Sequence, residues 1–344
     1  MFDTPTDAAT FLSGALEPPA IERIVGTLVP TIVFEPMLDD HIGGTRIGGV
    51  PDMGPGAEWP RPTPPADRQA LVPGGGEMDE EMVAHLDAAL PFAFMAQVDL
   101  AEASALGPVA SPLPDEGRLL FFYDMMTGPY ETGARSARVV WDRTPVDELR
   151  PMEVPADLLR AHDERKATDL ASAKEFGYEI EDDAGSSYLT EPIPREPTVK
   201  LVLPSRQSLE WEASGLDALF ESDPDGDIEY AFETAFDEIT PSSVDAVAPY
   251  QHRMLGTPLP EQDDPRFTAA MFELTGGEQY SDGDAYERFG AAMRENAPNW
   301  VVLFQLGVSD WMGERTEGTI YYLIRRDDLA ERRFDRVIAE YQQT

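Results

Sequence analysis

Two hydrophobic patterns alternate along the chain. Short apolar runs bounded by Gly or Pro predict strands at Thr31–Phe34, halted by Pro36, then at Phe92–Val98, Arg118–Tyr123 and Arg138–Trp141. The same kind of run returns at Thr198–Leu203, Trp300–Leu306, Thr319–Ile324 and Arg336–Ile338. Apolar residues at helical spacing predict helices over 4–16 and over Glu77–Leu90, where Met78, Met82 and Leu86 lie four apart. Val154–Ala173 and roughly 208–238 read as polar, acidic helical stretches, Tyr286, Phe289 and Met293 share one face of a later helix, and 327–333 forms a short one. Short loops join neighbouring strands more often than helical crossovers do. The expected class is therefore α+β, with mostly antiparallel sheets and flanking helices.

The pattern runs twice. Arg46-Ile47-Gly48-Gly49-Val50-Pro51 recurs as Arg253-Met254-Leu255-Gly256-Thr257-Pro258. Each copy leads through a helix and a Pro to an apolar strand interrupted by one glutamine, Gln97 or Gln305, and then to a strand opened by a glycine, Gly117 or Gly318. Such self-similarity predicts two tandem, similar β-rich halves, an internal duplication. The expected boundaries are an N-terminal helical segment 1–30, a first repeat 31–150, an acidic helical connection 151–197 and a second repeat 198–344. Gly48, Gly49, Pro51, Gly256, Pro258, Gly117 and Gly318 are read as turn residues, and 71–76 as a mobile stretch.

Composition narrows the function classes. With 344 residues there is enough chain for two substantial cores. There is no Cys, which removes disulfides, thiolate catalysis and Cys-ligated metal together. No basic region followed by an apolar core stands at Met1-Phe2-Asp3-Thr4-Pro5, so a signal peptide is not expected, and no apolar run approaches a membrane span. The expectation is a cytoplasmic protein. Acidic residues number 65 against 26 basic ones, a formal charge of −39. That field repels phosphate backbones, so neither nucleic acid nor membrane is an expected partner. Because the acids are spread along the chain, general solubility or adaptation to salt is the favoured reading, and a surface for a basic protein partner is the other.

Catalytic signatures are missing. His41, His85, His162 and His252 are scattered, with no HExxH or His-x-His pair, and neither Gly-x-Ser-x-Gly nor Ser-x-x-Lys occurs. The glycine-rich run Gly43–Gly49 has no Gly-Lys-Ser/Thr and reads as a tight turn rather than a phosphate cradle. Residues 221–233 resemble an EF-hand loop loosely, but position 12 is Phe232 and Pro224 falls inside, so an acidic turn is the better reading. Neither cofactor nor metal is expected.

The duplicated polar residues are the candidate ligand contacts: Arg46, Gln97, Arg253 and Gln305, with Trp59 and Trp311 as possible walls. A glutamine in an apolar strand must find partners or cost a few kcal/mol. It either ties its strand to the Gly-Pro loop of its own half, which is the favoured reading, or faces a groove shared by both halves. For the Trp residues buried packing is the favoured reading.

Gly48-Gly49-Val50-Pro51, Trp59-Pro60, Phe92–Leu100, Gly117–Phe122, Leu303–Leu306, Gly318–Leu329 and Phe334–Val337, in this order and spacing, resemble the YwqG-like family of uncharacterised bacterial proteins. The chain departs from that family's Trp-Gly-Asp-x-Gly run at Trp311–Gly318. The resemblance implies a β-rich duplicated fold and no established activity. Similar proteins are sometimes encoded near secreted toxins, which implies an immunity-type role. The function expected from sequence is a non-enzymatic binding or interaction protein, the alternative an enzyme or small-ligand binder with a polar cleft between the repeats.

Overall fold

The strongest strands of the sequence are apolar on both faces, and the architecture explains why. The computed structural model describes residues 1–64, 77–177, 179–180, 184–239, 251–277, 284–312 and 318–343. The expected mobile stretch 71–76 lies outside them. The strands are β1 (Val29–Pro36), β2 (Arg46–Ile47), β3 (Asp52–Met53), β4 (Ala93–Asp99), β5 (Arg118–Tyr123), β6 (Ala137–Asp142), β7 (Arg150–Pro151), β8 (Ile193–Val202), β9 (Arg253–Met254), β10 (Trp300–Gly307), β11 (Thr319–Arg325) and β12 (Ile338–Gln342). Ten of them form one antiparallel sheet in the order β12-β11-β10-β9-β1-β8-β2-β4-β5-β6, while β3 and β7 pair separately. The fold is α+β, and the sheet is nearly a barrel. Its two edges meet where Gly133 and Ala339 exchange both backbone hydrogen bonds, at 2.9 and 2.8 Å.

The barrel interior draws on both halves of the chain. Phe34, Phe121, Phe304 and Tyr322 meet there, with Phe121 and Phe304 centroids 4.6 Å apart and Phe34 edge-on to Phe304 at 5.3 Å. Outside, Trp59 and Leu158 cover the outer side chains of β4 and β5, and the helices Pro265–Leu274 and Asp284–Asn296 cover β10 and β11. Every residue of β5 is therefore buried. This is why the sequence shows continuous apolar runs instead of alternation.

The long antiparallel pair β1–β8 stands at the middle of the sheet, with Glu35 opposite Glu196. On its far sides β1 pairs with β9 and β8 with β2. Each half's leading strand thus lies against the other half's Arg-bearing strand. β8 begins at Ile193, five residues before the expected Thr198, and β1 runs through Pro36 instead of stopping there. A Pro is tolerated at that strand end, where no ladder N–H is demanded of it. The last strand is Ile338–Gln342; Phe334–Arg336 is a 3-10 turn. The polar stretch near 208–238 resolves into Leu209–Ser214, Leu216–Glu221 and Asp227–Ile239, packed with Pro5–Leu12 and Pro18–Val25 around Trp211 and Phe232. Among the described residues no helix is long and apolar enough to cross a membrane.

Candidate functional site

Each glutamine is a staple. A bulge falls at Met95 in β4 and at Leu303 in β10, two residues before the glutamine, and turns its amide to the outer face of the sheet. Gln97 Nε2 donates to the Gly44 carbonyl at 2.8 Å, and its Oε1 accepts the Asp52 N–H at 3.0 Å. Gln305 Nε2 donates to the Gln251 carbonyl at 3.0 Å, and its Oε1 accepts the Leu259 N–H at 2.9 Å. Arg46 is the register partner of Gln97, as Arg253 is of Gln305. Arg46 Nη2 donates to the Val50 carbonyl at 2.7 Å, and Arg253 Nη1 to that of Thr257 at 3.3 Å. One amide and one guanidinium thus close each loop from inside.

The loops approach closely because of their glycines. Gly49 has φ +71°, and a Cβ there would stand 2.8 Å from Pro192 Cβ. Gly256 also has φ +71°, and a Cβ there would meet Thr31 Oγ1 at 2.3 Å. Only glycine meets both demands without strain. Pro51 and Pro258 follow in the same loops, and Gly117 and Gly318 each accept, through their carbonyls, the N–H of the residue just after the glutamine strand, Leu100 and Val308.

Electrostatics separate the two staples. Asp52 stands in the first, buried, with Oδ2 accepting from Gly43 N at 2.7 Å and meeting Arg46 Nη2 at 2.8 Å; Asp40 is 3.2 Å from Arg46 Nη1. Leu259 occupies the matching place in the second. There burial pulls the Arg253 guanidinium down to about 10.

A cleft of about 620 Å³ opens beside the first staple, between the loop 40–52, the helix Ala156–Phe176 and the segment 184–192. Leu159, His162 and Lys166 line it from that helix at spacings of three and four, which places them on one face. His162 Nδ1 lies 2.8 Å from Ser186 Oγ, and Lys166 Nζ donates to the Ala184 carbonyl at 3.0 Å. Desolvation first, and the Lys166 charge second, lower the His162 pKa below its ordinary 6.5. Ser186 is fully buried, and its Oγ also accepts the Tyr188 N–H at 3.1 Å. Its hydroxyl therefore orients the imidazole and is not presented as a nucleophile. A second cleft, of about 530 Å³, lies by Leu255 and Gly256 and is lined by Arg266, Arg326 and Arg332. Arg266 is saturated there by Asp264 and Glu210.

The chain matches the family described as Domain of unknown function (DUF1963) over residues 45–342. It belongs to that family. No curated protein matches it.

The DUF1963 match spans both staples and the helix that walls the first cleft. It leaves out β1, which the fold places in the middle of the sheet. Of the six candidate ligand residues, Arg46 alone lines the first cleft, and none of the six lines the second. Gln97 and Gln305 are buried under separate loops and share no hydrogen-bond partner. Trp59 is buried, donating to the Phe92 carbonyl at 2.8 Å and packing on Phe94 and Phe122. Trp311 is buried, donating to the Ser186 carbonyl at 2.8 Å, so it supports the cleft segment from behind. The departing run after it, 313–317, lies outside the described residues.

Sequence reasoning passed over His162, Lys166 and Ser186, because a polar helix reads as a connection. The available signal was a Leu-His-Lys stripe at helical spacing in a chain with three lysines. In the EF-hand-like turn, Asp223 Oδ2 accepts the Ile228 N–H at 2.7 Å, the job of a helix cap. Among the described residues no cluster of His, Asp or Glu is placed to hold a metal ion.

Proposed function

We propose that this protein is a non-catalytic binding protein whose ligand occupies the cleft between the loop 40–52 and the helix Ala156–Phe176. The observation that carries this reading is the convergence of His162 and Lys166 on one concave, partly apolar wall in a chain whose formal charge is −39. The cation bound to the first staple is spent on Asp40 and Asp52, so Arg46 shapes the cleft while the helix residues present donors to it. The test is to purify the protein from its native host, denature it, and identify released small molecules by mass spectrometry. A molecule released stoichiometrically by the wild type and absent from Leu159→Trp, which fills the mouth of the cleft, is expected. Identical releases from both proteins contradict the reading.

The proposal carries three finer statements. The family relation is YwqG-like, the protein is cytoplasmic, and the two halves arose by duplication. Constant spacing supports the last: Gly44 and Gln251, Arg46 and Arg253, Val50 and Thr257, and Asp52 and Leu259 are all 207 residues apart and play matching parts in the two staples. An experimental structure with Gln97 and Gln305 bonding non-equivalent loop positions would contradict duplication.

A second reading is favoured by one surface feature. Leu38 is 99% exposed beside Asp39 and Asp40, an apolar tip in an acidic field, which suits a basic protein partner and an immunity-type role. Pull-down from the native host at physiological salt is expected to recover such a partner with wild type and to lose it with Leu38→Asp. Equal recovery with both would remove this reading.

A further inference from the structure

We propose that the cleft takes a monoanionic ligand with an apolar body, a medium-chain monocarboxylate or a molecule ending in one, with the carboxylate held between His162 and Lys166. This inference rests on the proposed ligand cleft and adds the ligand's chemistry.

Hydrogen-bond accounting fixes the direction of the donors. Ser186 Oγ already accepts the Tyr188 N–H, and His162 Nδ1 is the acceptor that its hydroxyl hydrogen reaches among the described residues. Donating that hydrogen makes Nδ1 an acceptor and leaves the ring proton on Nε2, the nitrogen left for the cleft. The lowered His162 pKa agrees with a neutral, singly protonated ring at neutral pH. Lys166 spends one of its three protons on the Ala184 carbonyl and has no carboxylate partner among the described residues. One helical turn separates the two residues, and their heads bond Ser186 and Ala184 of one segment, so a single carboxylate can reach both.

Charge counting selects a single negative charge. Asp40 and Asp52 are already paired with Arg46, while Asp163 and Glu191, whose charges also reach His162, are exposed to solvent. Among the described residues Lys166 then offers a positive charge with no carboxylate partner, and His162 offers a neutral N–H. A phosphate dianion would bring a second charge that these groups do not match, close to four carboxylates. The rest of the wall is supplied by Ile42, Val50, Val154, Leu159 and Leu189, which takes up a hydrocarbon body.

The probe is octanoate, titrated calorimetrically against octanamide, which has the same chain and no charge. Wild type is expected to bind octanoate on the order of tenfold tighter than octanamide, the size of one charge-assisted bond. In Lys166→Met that ratio is expected to fall towards one, with His162→Gln intermediate. A measurement on wild type alone guards against variants that misfold: octanoate carrying ¹³C at its carboxyl should stay ionised in the complex to a lower pH than in water. Equal binding of the two probes, no octanoate binding, an undiminished preference in Lys166→Met, or an unshifted carboxyl titration would each overturn the proposal. Should octanoate fail while the host-purified protein still releases a molecule that Leu159→Trp lacks, the carboxylate inference falls and the cleft reading stands.

Discussion

The Arg46–Gln97 and Arg253–Gln305 regions are built on the same backbone plan but differ in electrostatics. Both amides bond one carbonyl and one N–H of the loop above them. In the first, Asp52 sits under the loop and neutralises Arg46; in the second, Leu259 takes that place and burial depresses Arg253. The amide and the guanidinium are common to both loops, and the first carries a carboxylate, Asp52, at the position that Leu259 holds in the second. That carboxylate stands beside the cleft of about 620 Å³. Buried charge is costly unless paired. A pair at the floor of an open cleft keeps the loop rigid there, and among the described residues Lys166 has no carboxylate partner on the helix wall.

The comparison breaks first at the arginines. Arg46→Met strands the buried carboxylate of Asp52 and is expected to cost about 3–5 kcal/mol in urea unfolding. Arg253→Met leaves Leu259 in the corresponding place and is expected to cost less. An equal or greater loss for Arg253→Met would remove the electrostatic distinction. The glutamines come next. Gln97→Leu orphans a buried N–H and carbonyl and Gln305→Leu a partly buried pair, for about 1–3 kcal/mol apiece. Gln97 should be the more costly, since its Nε2 also lies 3.2 Å from Asp52 Oδ2. Unchanged urea midpoints in both would overturn the staple role.

A third test uses pH and the second half's own buried acid. Burial raises Glu340 from 4.5 to about 8, against smaller opposing effects of hydrogen bonds from Gln342 and Thr268. A raised folded-state value means that its contribution is whole below about 4.5 and is lost as pH climbs to about 8. Glu340→Gln should therefore gain stability over wild type progressively across that window. A pH-independent difference would contradict the burial argument.

Salt gives the smallest effect per residue. Screening of the −39 surface should raise the melting temperature towards 1 M salt, where the Debye length is about 3 Å. The gap between wild type and Arg46→Met should persist, because the buried pair is poorly screened. A gap that closes with salt would place that pair in solvent.

Strands were the legible part of this fold. Arg118–Tyr123 and Trp300–Gly307 announce themselves through apolar runs, and the Gly-Pro loops through residues with few conformational alternatives. The glutamines were legible as residues needing partners, though the chain order does not point to Asp52. Exchange of β1 and β8 across the centre was hidden, since pairing between residues such as Ile32 and Met254 leaves no local trace. The cleft was hidden for a related reason. His162 is 24 residues from the Ser186 that orients it, and neither belongs to a recurring pattern.

The central claim is that the cleft beside the first staple, and not the one beside the second, carries the ligand. The direct measurement is the thermal shift produced by the low-molecular-mass fraction of native-host lysate on three proteins: wild type, Leu159→Trp in the first cleft and Ala330→Trp in the second. Wild type and Ala330→Trp should be stabilised alike, and Leu159→Trp should show no shift. Stabilisation that survives in Leu159→Trp and vanishes in Ala330→Trp would contradict the account.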